Sequence, residues 1–508
     1  MNRQHSRVMM VYTPTIDFIE WGICTQVTNL RTLRRWLGVL VVCLCCLIAV
    51  VPSGAAAKEA GKYTELDETI DLLLKFHLHG FTEEELIQYA IEGIIWGLGD
   101  PYTEHFTQHG FDDYMNQVDY IYQGTGLVLD EEDGEFYINT ILEGSTAEKL
   151  GLQVGDLLVE VNGEPITMDS YYALMDAQLG ELGESVHVIV LRDGELIERE
   201  LAYTDIQIAT VDARWLGDGA GYISLYTFSE DASALFAEKL AELKAQGLSR
   251  LILDLRDNSG GLIQTAQEIA GHFLGDVPLA YTQDRSGKEE QLPVIAQDEV
   301  LTDLSLIILV NEWSASASEL LAGALQDYQV GVVIGEQTYG KGIVQQIYPL
   351  LTSGSLLKVT VQQYLTPNRH EVHDRGILPD IEVSGEHEQL LRALHELGLG
   401  KLNLKLNRSN LIVNDLATWG KIDIIRKGEQ VFLPMRILAS ALGAQLQWDG
   451  ERREVVLGEG EQTVRYPLQS LLVKDGVSYI AVDRFANDFP ALTWNGSVAA
   501  PELDIVVK

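Results

Sequence analysis

Beyond Cys46 the chain has no cysteine at all; Cys24, Cys43, Cys45 and Cys46 are the full set in 508 residues. That excludes a disulfide framework, a thiol nucleophile and a thiolate metal site from everything downstream. Basic residues are scarce as well: 36 Lys and Arg stand against 75 Asp and Glu, a formal charge of -39. Nucleic acids and anionic membrane surfaces need a basic face, so no nucleic-acid partner is expected. The excess carboxylate reads as a device that keeps an exported protein soluble. Histidine is absent after His395, and no His-Glu-x-x-His spacing occurs. No metal and no cofactor is expected.

Long apolar runs are also few. Trp36 to Val51 is uncharged and apolar, preceded by Arg31, Arg34 and Arg35 and followed by Pro52-Ser53-Gly54 and Ala55-x-Ala57. A basic region, an apolar stretch and a small-residue site are the parts of a secretory signal. The run is short of the roughly 20 residues of a membrane span, and residues 1–57 are read as a signal peptide or an uncleaved membrane anchor. The expected location is extracytoplasmic, secreted or anchored.

What remains is enough for about three domains at roughly 150 residues each, and with 46% hydrophobic residues it can bury real cores. The expected fold class is multidomain, α/β and α+β. Residues 58–117 read as helical: Leu72, Leu73 and Phe76, then Leu86, Ile87, Ala90, Ile91 and Ile94, recur at three- and four-residue spacing, and Thr82 to Glu85 has the form of a capping box. Residues 118–205 read as a β-rich domain of short strands and Gly-centred turns, with one helical stretch over Ser170–Leu179. Residues 206–390 alternate strands and helices. Leu251–Leu255 and Leu306–Val310 have the apolar composition of buried parallel strands, which predicts an α/β layered domain. A polar helical stretch is expected to about Leu399, with a linker over 391–403. Residues 404–508 hold an internal repeat: Val431 to Arg436 followed by Trp448, then Tyr479 to Arg484 followed by Trp494, read as a small pseudo-symmetric α+β module.

Three segments can carry chemistry. Ser314, Ser316 and Ser318 lie where an apolar strand hands over to a helix, beside free backbone N–H groups at the positive end of the helix dipole. Ser316-Ala317-Ser318-Glu319 equally fits a plain capping box. Lys341, between Gly340 and Gly342, serves as a general base if burial lowers its pKa from about 10.4, or is a surface lysine in a loop. Gln345, four residues on, shares its face. The loop Asp254 to Leu262 has a glycine pair, Gly260-Gly261, that suits an oxyanion site or a tight turn. His370 and His373 are the histidines of this region that a Ser-His mechanism would use.

Together these stretches, with Gly99-Asp100-Pro101-Tyr102-Thr103, Gly335-Glu336 and Gly376 to Asp380, resemble the carboxyl-terminal processing (tail-specific) serine peptidases over Tyr63 to Val383. The resemblance implies a Ser-Lys endopeptidase with Ser316 as nucleophile, Lys341 as general base and Gln345 as its orienting partner. It implies an oxyanion hole from the amides of Ala317 and of Gly260 or Gly261. The middle serine is chosen by the resemblance, because spacing alone does not separate the three. Trp313 departs from the smaller residue usual there, and Ser259 from the usual proline. Residues 118–205 resemble a PDZ domain, whose carboxylate-binding loop would be Gly124-Thr125-Gly126-Leu127 and whose ligand would be a protein or peptide with a free C-terminus. Residues 404–508 resemble the N-terminal domain of copper amine oxidases, read as a stalk that contacts the cell wall or an activator. The competing readings are a non-catalytic peptide-binding protein and a wall-associated scaffold.

Overall fold

The computed structural model describes residues 64–508 apart from 133, 168–182, 400, 407–409, 415, 420–421, 460–461, 497–502 and 508. The segment 1–57 and the helix expected over Ser170–Leu179 lie outside the described residues. The chain forms two compact units, one of 64–108 with 346–360 and one of 109–345 with 361–508.

In the smaller unit, α1 (Thr64–Phe76) and α2 (Glu83–Leu98) are the expected helices. Thr82 N donates to Glu85 Oε2 at 2.7 Å and Glu85 N to Thr82 Oγ1 at 3.2 Å, the reciprocal capping box. Asp100 accepts from Tyr102 N (2.9 Å) and Thr103 Oγ1 (2.6 Å), pinning the turn that leads into the strand Glu104–Phe106. That strand pairs antiparallel with 356–358. The apolar spacing set the helices but not a core: Leu72, Phe76 and Ile94 are 52%, 69% and 61% exposed. Two helices and three short strand segments present too little surface to cover both apolar faces.

The larger unit opens with an antiparallel sheet in the order β1 (Leu127–Glu132), β2 (Glu135–Ile141), β3 (Leu157–Val161), β4 (Ser185–Arg192), β5 (Glu195–Ala202). Leu127, Phe136, Ile138, Leu158, Val188 and Val190 form its core. Asp156, buried, is held by Arg192 Nε at 2.6 Å and Nη2 at 2.7 Å.

A second sheet follows chain order: β6 (Val211–Gly217), β7 (Ala220–Leu225), β8 (Arg250–Asp254), β9 (Ser305–Val310), β10 (Gly331–Gly335) and, after the separate strand β11 (Ile343–Pro349), β12 (Ile381–Glu382). β6 and β7 are antiparallel and all later pairs parallel. Helices α3 (Ala232–Ala245), α4 (Ile263–Ala270) and α5 (Ala317–Asp327) connect the strands. Successive strand residues face opposite sides. Leu251, Leu253, Ile308 and Val333 join α3–α5 in one core. Ile252, Ile307, Leu309 and Ile334 point the other way, which is why these strands are apolar throughout.

That other face is covered by α6 (Glu386–Glu396) and by the C-terminal residues, all in one continuous core. Here the expected division fails. Residues 391–403 are no linker: Leu391, Ala393 and Leu394 are buried in α6, and Leu402–Leu406 is already a strand. The expected polar helical stretch is present as α6, and the helix period gathers its leucines onto the buried side. The internal repeat is present as β13 (Gln430–Pro434) followed by α7 (Met435–Ala441), and β14 (Val477–Ala481) followed by α8 (Val482–Asp488). β13 and β14 pair antiparallel, Leu433 opposite Ile480.

Candidate active site

The turn from β9 to α5 is sewn to the loop after β8. Asn311 Nδ2 donates to Asp257 Oδ1 at 2.8 Å, and its Oδ1 accepts from Asp257 N at 2.9 Å. Ser314 Oγ donates to Leu255 O at 2.8 Å, Ser318 Oγ to Asn258 O at 2.7 Å, and Ala315 N to the same carbonyl at 3.0 Å. Two of the three serine hydroxyls are thus engaged by backbone carbonyls, while Ser316 and Glu319 form the capping box that the sequence equally allowed.

Ser316 differs in backbone. It precedes α5 at φ 53° and ψ -111°, a region that favours glycine. Holding a serine there costs about 1–3 kcal/mol and requires surroundings that over-determine it. Its N–H donates to Glu319 Oε2 at 2.8 Å, and its carbonyl accepts from Tyr364 Oη at 3.1 Å and from Leu320 N at 2.9 Å. The strained strand-to-helix turn has the mechanics of a nucleophile elbow. Ser316 is fully buried, as are Ala317 and Lys341.

Glu319 is the residue that the sequence reading left as half of a cap. Its Oε2 accepts from both Ser316 N and Lys341 N, each at 2.8 Å. Its Oε1 accepts from Thr338 Oγ1 at 2.5 Å and Gly340 N at 2.7 Å. One buried carboxylate therefore ties the serine turn to the lysine loop. Burial pushes the Glu319 carboxyl above its ordinary value, against the pull of these four donors. A signal was present: from Ala317 to Leu325 every residue of α5 is small or apolar apart from Ser318 and Glu319, so a carboxylate in its first turn has no solvent face to occupy.

The lysine loop owes its path to glycine. A β-carbon on Gly342 would stand 2.1 Å from His373 N, and one on Gly340 3.0 Å from Arg375 N, so the segment Val372–Gly376 runs directly against the two glycines. Gly260, at φ 112°, is equally confined: a β-carbon there would come within 2.9 Å of Ser316 Cβ and 3.1 Å of Ala317 N. Its N–H, however, donates to Asn258 Oδ1 at 2.8 Å. Gly261 forms a parallel bridge with Phe228. Gln345, on β11, is buried, and neither amide atom has a hydrogen-bond partner. The expected bond to the Lys341 amine is not made. His370 lies 3.5 Å from Asp327 and His373 3.8 Å from Asp374, and neither ring is hydrogen-bonded to a serine.

In the β-rich domain, Gly124, Thr125, Gly126 and Leu127 are all buried and lead into β1, the edge strand. The carbonyls of Thr125 and Gly126 accept from Ala147 N (3.1 Å) and Leu142 N (2.9 Å), so both are tied to the domain body.

Residues 219–383 match the model for peptidase family S41, 137–192 that for a PDZ domain, and 401–490 that for the copper amine oxidase N-terminal domain. The carboxy-terminal processing protease CtpB of Bacillus subtilis is 31% identical over 347 residues, 66% of this chain and 71% of that protein. A carboxyl-terminal-processing protease of Synechocystis is 34% identical over 332 residues, 62% of this chain and 76% of that protein. Among solved structures, a photosystem II D1 C-terminal processing protease aligns at 28% identity with a TM-score of 0.41, covering 64% of this chain and 87% of that one.

Proposed function

Because the chain belongs to the carboxyl-terminal processing proteases of peptidase family S41, and is thus a serine peptidase with a PDZ domain, we propose that it cleaves extended substrates near their C-termini by a Ser-Lys mechanism. The observation that carries this reading is the shared carboxylate: Glu319 Oε2 holds the backbones of Ser316 and Lys341 together while Ser316 is kept at φ 53°.

Neutral Lys341 takes the Ser316 proton as Oγ bonds to the scissile carbonyl carbon. Burial supports that role, since a low-dielectric site disfavours an ammonium. The oxyanion is received by the amides of Ala317, at the positive end of α5, and Gly261. The lysine then passes its proton to the leaving amine as the C–N bond breaks, and water hydrolyses the acyl-enzyme by the reverse route. Gln345 has a buried, unpartnered amide, which suits it to take hold of the amine during the cycle. The Gly124–Leu127 loop receives the substrate carboxylate, and the chain preceding it adds as a strand along β1. Arg31, Arg34, Arg35, the apolar run and Ala55-x-Ala57 support an extracytoplasmic site of action. No described helix is long and apolar enough to cross a membrane.

The test is cleavage of an unfolded protein with an apolar C-terminus by the parent and by Lys341→Ala, with fragments identified by mass spectrometry. Cleavage by the parent alone is expected. Equal cleavage by the variant would remove the lysine from the mechanism.

A further inference from the structure

Helix α6 is held from two sides at adjacent residues. On one side, Arg256 of the loop after β8 donates through Nη1 to the carbonyl of Glu386 at 2.7 Å and lies 3.4 Å from Gln389 Oε1. On the other, His387 Nδ1 lies 2.7 Å from Thr418 Oγ1 in the C-terminal module. The Thr418 hydroxyl donates to Leu411 O at 3.0 Å, so it accepts from His387, and Nδ1 carries the proton. A single peptide unit, 386–387, is thus clamped between the loop that bears Gly260-Gly261 and the C-terminal module. Farther along α6, a β-carbon on Gly443 would stand 2.2 Å from the His395 ring, a second point where the module meets the helix without clearance.

The Arg256 clamp is stiff. The Arg256 side chain is 9% exposed, and its Nε and Nη2 bond Asp254. Burial works against its charge, and the Asp254 carboxylate outweighs that effect, so the guanidinium stays ionised. Moving such a pair apart would strand a buried charge. Arg256 follows Leu255, whose carbonyl accepts the Ser314 hydroxyl two residues before Ser316. A continuous run of short contacts leads from Thr418 through His387, Glu386, Arg256 and Leu255 to the serine turn.

We propose that the C-terminal module positions the catalytic loop through Thr418 and His387, and is a working part of the peptidase rather than an appended stalk. The proposal rests on the reading of Ser316 and the Gly260-Gly261 loop given above. Thr418 and His387 are positioning residues, and they act through α6 on where the oxyanion amides stand relative to Ser316 Oγ.

The test uses the full chain, Thr418→Val, Thr418→Ser, and Leu457→Ala as a cavity variant elsewhere in the same module, where Leu457 is fully buried. Well below each thermal midpoint, kcat and KM for a peptide are measured together with the rate at which a fluorophosphonate labels the serine. Thr418→Val is expected to lower kcat and labelling about tenfold, as sub-ångström misplacement of catalytic groups does. KM should stay within about twofold, because binding contacts are untouched. Thr418→Ser, which keeps the hydroxyl, should restore the rate, and Leu457→Ala should lower the thermal midpoint with kcat intact. Full kcat in Thr418→Val, or an equal loss in Leu457→Ala, would overturn the coupling. Cleavage that survives Ser316→Ala would overturn the reading of the site and the coupling with it.

Discussion

Ser316 and Lys341 donate their backbone N–H groups to the same oxygen, Glu319 Oε2, each at 2.8 Å. The two residues are 25 positions apart in the chain, on different loops, and a single carboxylate sets their separation. Catalysis that depends on sub-ångström placement then depends on a residue that touches no reacting atom.

Glu319→Gln keeps the volume but presents an NH₂ to donors where an oxygen stood. With its oxygen toward Ser316 N and Lys341 N, the amide turns its NH₂ on Gly340 N, so that bond is lost and the Thr338 bond must reverse. The expected result is a fall in kcat of about tenfold or more with KM little changed, read by steady-state kinetics alongside active-site titration. A KM effect with normal kcat would place Glu319 in substrate binding instead.

The three serines should separate cleanly. Ser314→Ala and Ser318→Ala each remove one of two donors to a backbone carbonyl, at a cost of about 0.5–1.5 kcal/mol, with cleavage retained. Ser316→Gly should do the reverse. It abolishes cleavage and, by relieving a non-glycine φ of 53°, raises stability by about 1 kcal/mol. Denaturant unfolding and cleavage assays on the same preparations decide the point.

Gly260→Ala puts a β-carbon 2.9 Å from Ser316 Cβ at a φ of 112°. The loop must move away from the serine, and the expected outcome is a loss of about 10- to 100-fold in kcat. A crystal structure of the variant should find the separation between Gly260 and Ser316 increased.

In the PDZ domain, burial opposes ionisation of Asp156, but bonds from Arg192 and Gln153 N outweigh it and hold the carboxyl below its ordinary value. A depressed carboxyl stabilises the fold above its unfolded pKa of about 3.9 and loses that contribution as pH falls through the folded value. The stability gap between the parent and Arg192→Met should therefore be widest above pH ~4 and close below it. Circular dichroism of urea unfolding at several pH values measures the gap; a gap independent of pH would exclude the pair as its source.

Much of this protein was legible in residue order because the relevant physics is local. The period of the leucines in α1 and α2, the Thr82–Glu85 box, the apolar strands β8 and β9 and the repeat of β13–α7 in β14–α8 all follow from spacing and short-range bonding. So does the presence of a serine at a strand-to-helix turn and of a lysine between glycines. What the order of residues left open was decided by contacts across the fold. Which serine is strained depends on carbonyls supplied by the loop after β8. Glu319 reads as a cap until Thr338, Gly340 and Lys341 arrive to share it. The polar helical stretch and supposed linker became part of the core because α6 packs on the second face of the central sheet. Burial, strain and shared hydrogen bonds are properties of what comes together, and residues brought together from distant parts of the chain leave no fixed interval between them to read.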